Sequence, residues 1–90
     1  MKHVYIVVEK SEDSSTDEED LVVYATFQKA SSISKQLLKQ EFEYIQSSYD
    51  EVDLQKDFFE NTEKEIYEAS IYNEDEVFYR VSVKKILVIE

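Results

Sequence analysis

Residues 77–89 read VFYRVSVKKILVI. Val77, Tyr79, Val81 and Val83 alternate there with Phe78, Arg80, Ser82 and Lys84. That period of two sends successive side chains to opposite faces of a sheet, and it marks the longest strand of the chain. The run from Ile86 to Ile89 is apolar without a break. It predicts burial on both faces, or a change of register near Lys84-Lys85 that a bulge accommodates.

The segments on either side fit around this strand. Residues 65–72 (EIYEASIY) alternate in the same way, and Asn73 to Glu76 form a tight acidic turn, so 65–89 read as a hairpin. Residues 50–64 (DEVDLQKDFFENTEK) follow no single period: Val52 and Phe59 share one helical face, and Leu54 and Phe58 another. They are read as a loop and then a short helix ending near Asn61. Before them Ile33, Leu37, Leu38, Phe42, Ile45 and Tyr49 recur at helical spacing, with Ser31 or Ser32 as N-cap and Lys35, Lys39, Glu43 and Gln46 facing solvent. Residues 3–9 (HVYIVVE) and 21–28 (LVVYATFQ) are β-branched and aromatic, an antiparallel strand pair joined by a polar, mobile loop over 11–20. The whole is one α+β domain over residues 1–90, with the order β-β-α-(α)-β-β. Two layers are expected: an antiparallel sheet of about four strands, packed by one main helix and a short second one.

Ninety residues with 42% apolar and 13% aromatic content are enough for a single modest core, and too hydrophobic for a disordered acidic tail. No cysteine is present, which excludes disulfides, thiolate metal sites and thiol catalysis. Glycine and proline are absent as well, against about 11 at average usage. Phosphate-cradling glycine loops are therefore excluded, and positive-φ turns are expected at Asn61, Asn73 or an Asp. Three Ala and one Arg complete a composition that suits a GC-poor genome, as many bacteriophages and low-GC bacteria have. The apolar run Val4–Val8 is too short for a signal-peptide core, and no run approaches a membrane span. A cytoplasmic location without membrane association is the expectation.

Twenty-one acidic residues face ten basic ones, and the net charge of −11 is concentrated in two stretches. Residues 9–20 (EKSEDSSTDEED) carry a net −6, and residues 50–76 a net −9. The rest is mildly basic. Catalytic parts are missing: His3 is the single histidine, at the start of the first strand, and no small-residue elbow surrounds a serine. Paired carboxylates abound, but a chain this short rarely provides the cleft a glycosidase needs. Neither Asp13, Asp17, Glu18, Glu19 and Asp20 nor Asn73 to Glu76 matches a calcium loop with its sharp-turn glycine. Direct nucleic-acid binding is opposed by the charge, since only Arg80, Lys84 and Lys85 cluster. An enzyme is not expected, and no cofactor or metal is implied.

Acidic surfaces can instead imitate nucleic acid. Alternate strand residues lie about 6.6–7 Å apart and successive helical turns about 5–6 Å, both near the phosphate spacing of a strand. The candidate partner-binding residues are Asp50, Glu51, Asp53, Asp57, Glu60, Glu63, Glu74, Asp75 and Glu76. Tyr49, Phe58, Phe59 and Tyr67 are interleaved as apolar contacts, although core is the expected place for Phe42 and Phe59. Glu12, Asp13, Asp17, Glu18, Glu19 and Asp20 form a secondary acidic loop that supplies diffuse attraction. The competing reading is a solvated face that only keeps the protein soluble.

With its tract Glu12–Asp20, run Asp50–Glu68 and turn Glu74–Glu76, the chain resembles a functional class. That class is the small acidic anti-defence proteins of bacteriophages, the anti-CRISPR and anti-restriction inhibitors. Its outline, His3–Val8 and then Tyr24 to Phe27 before Ser31, is also similar to short phage proteins that begin with a Val-Tyr-rich strand. The resemblance implies an inhibitor that blocks the nucleic-acid site of a basic nucleic-acid-binding protein, a bacterial defence nuclease, in an infected cell. The alternative is an interaction or assembly module that adds a strand to a partner or to itself. Monomer and homodimer both fit.

Overall fold

The computed structural model describes residues 2–11, 20–48, 53–74 and 76–89. The chain forms strands β1 (Lys2–Ser11) and β2 (Asp20–Tyr24), helix α1 (Phe27–Ser48), then β3 (Gln55–Asn61), β4 (Ile66–Asn73) and β5 (Glu76–Val88). One antiparallel sheet holds all five strands in the order β2-β1-β5-β4-β3, with α1 on one face. The α+β, two-layer expectation holds. The sheet has five strands, because the segment read as a loop and short helix contributes β3.

β5 is the centre. It pairs with β1 from Lys2 opposite Val88 to Ser11 opposite Tyr79, and with β4 from Tyr67 opposite Val83 to Asn73 opposite Glu76. The β1–β5 ladder runs through Lys84 and Lys85 without a shift, so the register change lies elsewhere. It falls between Ile71 and Tyr72 of β4, which face Tyr79 and Val77 with one extra residue between them. Val77 thereby leaves the face of Tyr79. Nor is the run after Lys85 buried on both sides: Ile86 and Leu87 are half-exposed, and Ile89 is 83% exposed.

Alternation assigns the faces. Tyr5 and Val7 of β1, Tyr67, Ala69 and Ile71 of β4, and Tyr79, Val81 and Val83 of β5 point beneath the helix. Phe27, Ala30, Leu38 and Ile45 of α1 meet them, with Leu37 and Phe42 partly buried at the margin. Phe27 sets an edge-on ring against Tyr5, centroids 6.1 Å apart. The helix starts four residues before the expected Ser31, because Thr26 is its cap. Thr26 Oγ1 accepts from the Lys29 N–H at 3.2 Å, and its carbonyl accepts from the Ala30 N–H at the same distance. Ser34 is fully buried and donates to the Ala30 carbonyl at 2.8 Å, which lets a polar side chain pack closely on the sheet.

α1 lies chiefly over β5 and β1, less over β4 and β2, and leaves β3 largely uncovered. The positive-φ positions are Glu65 (56°) and Glu74 (51°) rather than an Asn or Asp. Asn61 serves the β3–β4 turn differently, accepting the Lys64 N–H on Oδ1 at 3.0 Å. The 12–19 portion of the acidic loop, with the mobility expected of it, lies outside the described residues.

Candidate functional site

Becoming a strand redistributes the carboxylates of 50–64. In a helix Asp57 and Glu60 would share a face; in β3 they point to opposite sides of the sheet. Glu60, opposite Tyr67, is on the helix side and is held by Lys35 at 2.7 Å, so its charge is compensated. Asp57, opposite Ser70, is on the uncovered side, and its Oδ1 accepts the Phe58 N–H at 2.9 Å. Asp53 precedes β3 and is exposed, as is Glu63 in the β3–β4 turn. Glu74 and Glu76 are exposed at the end of the sheet near Asp53, since Gln55 pairs with Tyr72. Asp50, Glu51 and Asp75 lie outside the described residues, as do Glu12, Asp13, Asp17, Glu18 and Glu19; Asp20 opens β2. The acids therefore line the perimeter of the β3 edge instead of one continuous face.

Between them stand Phe58 and Phe59. β3 is an edge strand that α1 touches through Lys35 and Phe42 but does not cover, so Phe58 on the helix side stays 63% exposed, while Phe59 faces away from the helix and is 55% exposed. This corrects the expectation that Phe59 belongs to the core. Tyr67, expected as an interface contact, is in the core at 1% exposure. Tyr49 lies outside the described residues. Lys56 bends over the Phe42 ring, 4.9 Å from its centroid, and ties the strand to the helix together with the Lys35–Glu60 pair.

The uncovered face of β3, β4 and β5 forms an open groove of about 440 Å³ lined by Asp57, Phe59, Glu68, Ser70, Arg80 and Ser82, with parts of Phe58, Ala69 and Val81. Arg80 lies there with two carboxylates but pairs with neither. Among the described residues the ion pairs are Lys35–Glu60 and Lys85–Glu65. Sequence reasoning passed over this grouping, although the polar alternation Arg80, Ser82, Lys84 signals a solvent-facing side of the strand.

A second polar group sits where β1, β5 and the β3–β4 turn meet. Glu65 accepts from Lys85 Nζ at 2.7 Å and from the Tyr5 hydroxyl. Lys85, and then Tyr5, hold the Glu65 carboxyl below the usual carboxylate range. The same contacts push the Lys85 ammonium and the Tyr5 phenol up. Tyr79 donates to Glu9 Oε1 at 2.6 Å, and burial first, then that bond, raises its phenol. Burial raises Tyr67 as well. Phenols and ammonium groups moved away from neutrality transfer protons poorly there. These contacts staple the sheet: Glu65 fixes a turn that would otherwise strain at positive φ.

His3 is exposed at the start of β1. Among the described residues no group of three His, Asp or Glu converges as metal ligands. No described helix is long and apolar enough to cross a membrane. The chain matches no family model, no curated protein and no solved structure.

Proposed function

We propose that this protein is a non-catalytic binding domain that engages a basic protein partner at the β3 edge. The observation that carries the reading is that edge strand, whose outer side pairs with no other strand among the described residues and whose Phe58 and Phe59 are more than half exposed. Exposed carboxylates at Asp53, Asp57, Glu63, Glu74 and Glu76 surround it. Aromatics supply binding energy once desolvated, and carboxylates supply steering and charge selection. An acid-rimmed edge fits the Lys- and Arg-rich channel of a nucleic-acid-handling protein. The specific proposal is thus inhibition of such a protein, a bacterial defence nuclease, by occupying its nucleic-acid site.

A second reading is favoured by the free backbone of β3: the strand is extended by a partner's strand, with main-chain hydrogen bonds giving the affinity. One experiment separates the two. The tagged protein and its Asp57→Lys/Glu63→Lys variant are used to capture partners from bacterial lysate, with rising salt and competing DNA or RNA. A nucleic-acid-binding protein that salt and nucleic acid displace, and that the variant fails to retain, is the expected result. A partner retained equally at high salt and by the variant overturns the acidic reading in favour of strand addition.

A further inference from the structure

No described element covers the face of the sheet opposite α1, and that face is apolar over β1 and β2. Val4, Ile6 and Val8 of β1, Leu21 and Val23 of β2, and Ile86 of β5 share it by register. Val8 is only 7% exposed, yet it does not join the core beneath the helix. Leu21 and Val23, at 58% and 59% exposure, remain in water. Antiparallel sheets tolerate one wet face when that face is polar; around Val4, Ile6, Leu21 and Val23 this one is apolar.

Charge divides the face in two. Over β1 and β5 it carries Lys2, Lys10, Arg80 and Lys84 and no described carboxylate; over β4 and β3 it carries Glu68 and Asp57. A chain of net charge −11 thus keeps four of its ten bases on one face, beside an acidic half of the same face. A surface that pairs with itself about a twofold axis must be self-complementary, and opposite charge on its two halves meets that condition.

We propose that this open face is a homodimer interface, two copies packing sheet against sheet into a four-layer α/β/β/α sandwich. The twofold runs along the strands near the β4–β5 boundary. Registers place Lys10, Arg80, Ser70 and Asp57 in one cross-strand row, and Val8, Ser82, Glu68 and Phe59 in the next. Such an axis lays β1 on the other copy's β3, and β5 on its β4, and leaves β2 with Leu21 and Val23 outside the overlap. Lys10 then meets Asp57 of the second copy, Arg80 falls between Asp57 and Glu68, and Phe59 covers Val8. The unpaired state of Arg80, Asp57 and Glu68 within one chain leaves them available for these contacts.

The area is small. Each side-chain position on one face of a sheet occupies about 33 Å², from the strand separation and the two-residue repeat. With β1 on β3 and β5 on β4, only the three to four rows common to all four strands overlap, roughly 450 Å² per copy and about 900 Å² for the pair. That is below the range of standard specific interfaces, so the dimer is a weak one whose population grows with concentration. The inference goes beyond the binding role proposed above and stands independently of it. The dimer covers Asp57 and Phe59 but leaves Phe58, Asp53, Glu63 and Glu74 open.

Sedimentation equilibrium from micromolar to several hundred micromolar tests it. A species of twice 10.7 kDa should grow with concentration. Lys10→Glu should raise the dissociation constant at least about tenfold, and adding Asp57→Lys should restore it to within about threefold. Phe59→Ala should weaken the dimer, while Phe58→Ala, on the opposite face of the same strand, should not. Far-ultraviolet circular dichroism confirms that each variant is folded. If Lys10→Glu is not, Phe59→Ala against Phe58→Ala decides. A wild-type chain that stays monomeric throughout, or a dimer indifferent to both Lys10→Glu and Phe59→Ala, overturns the proposal.

Discussion

Ile71 and Phe58 offer a direct test of where the core of this sheet ends. Ile71 is fully buried in β4, next to Lys56 of β3 and Tyr79 of β5 and beneath α1. Replacing it with Ala removes three buried carbons and leaves a cavity the rigid sheet refills poorly, at a cost of about 3–4 kcal/mol. A 90-residue domain has roughly 5–13 kcal/mol in total, so the loss is a large fraction, or about 15–25 °C in Tm. Phe58 is the larger side chain, yet it is 63% exposed because the helix stops short of β3. Only about a third of a phenylalanine's burial is lost on Phe58→Ala, so about 1 kcal/mol is expected, including the weaker strand preference of Ala. Urea unfolding at low micromolar protein, followed by circular dichroism, measures both. The midpoints should fall by about 2 M and about 0.5 M with unchanged slopes. If Phe58→Ala costs more than about 2 kcal/mol, or Ile71→Ala less than about 1, residues 55–61 pack into the core and the edge-strand assignment is refuted.

Other expectations concern single contacts. Thr26→Ala should destabilise by about 1 kcal/mol, measured by the same unfolding assay, whereas Ser32→Ala should be nearly neutral because Thr26 is the cap. Glu74→Asn should stabilise by about 0.5–1 kcal/mol in thermal melts, since Asn adopts the left-handed conformation more readily and the exposed Glu74 side chain loses nothing. Tyr5, Tyr67 and Tyr79 are raised above the ordinary phenol value, so their contribution is complete below about pH 10 and is lost as pH climbs through the folded values. In an ultraviolet titration Tyr79 should ionise only as circular dichroism reports unfolding, and Tyr79→Phe should flatten the alkaline loss of stability. Glu65 works in the opposite sense. Its carboxyl is held low, so its contribution is present above the ordinary Glu value and is lost as pH falls through the lowered one; Glu65→Gln should remove that acid-side slope.

The candidate surface was legible in composition but not in arrangement. The concentration of carboxylates between 50 and 76 is a fact of sequence, and Asp53, Asp57, Glu63, Glu74 and Glu76 are indeed exposed. What spacing could not tell is that Asp57 and Glu60 part company. That depends on whether 55–61 is helix or strand, and its apolar residues match neither period cleanly. Nor could it show that Glu60 is compensated by Lys35, 25 positions earlier, a contact created by packing the helix on the sheet.

By itself the sequence determined the elements that bury one clean face. The alternation of Tyr79, Val81 and Val83 requires a strand, and the three-to-four spacing of Leu38, Phe42 and Ile45 requires a helix, since each pattern presents apolar groups on one side only in that conformation. The lack of glycine, cysteine and a second histidine likewise restricted the chemistry before any coordinates. Tertiary structure decided what depends on neighbours distant in the chain. β5 pairs with β1 across nearly the whole chain, a contact whose benefit comes from burying Val7 against Val83 and leaves no local trace. Segment 55–61 became a strand because the exposed edge of β4 offers it a ladder of backbone partners from Gln55 to Asn61. Exposure of Phe58 follows from that placement, because one 22-residue helix covers the middle of a five-stranded sheet and not its edge, and Phe59 is exposed because alternation turns it to the face away from the helix.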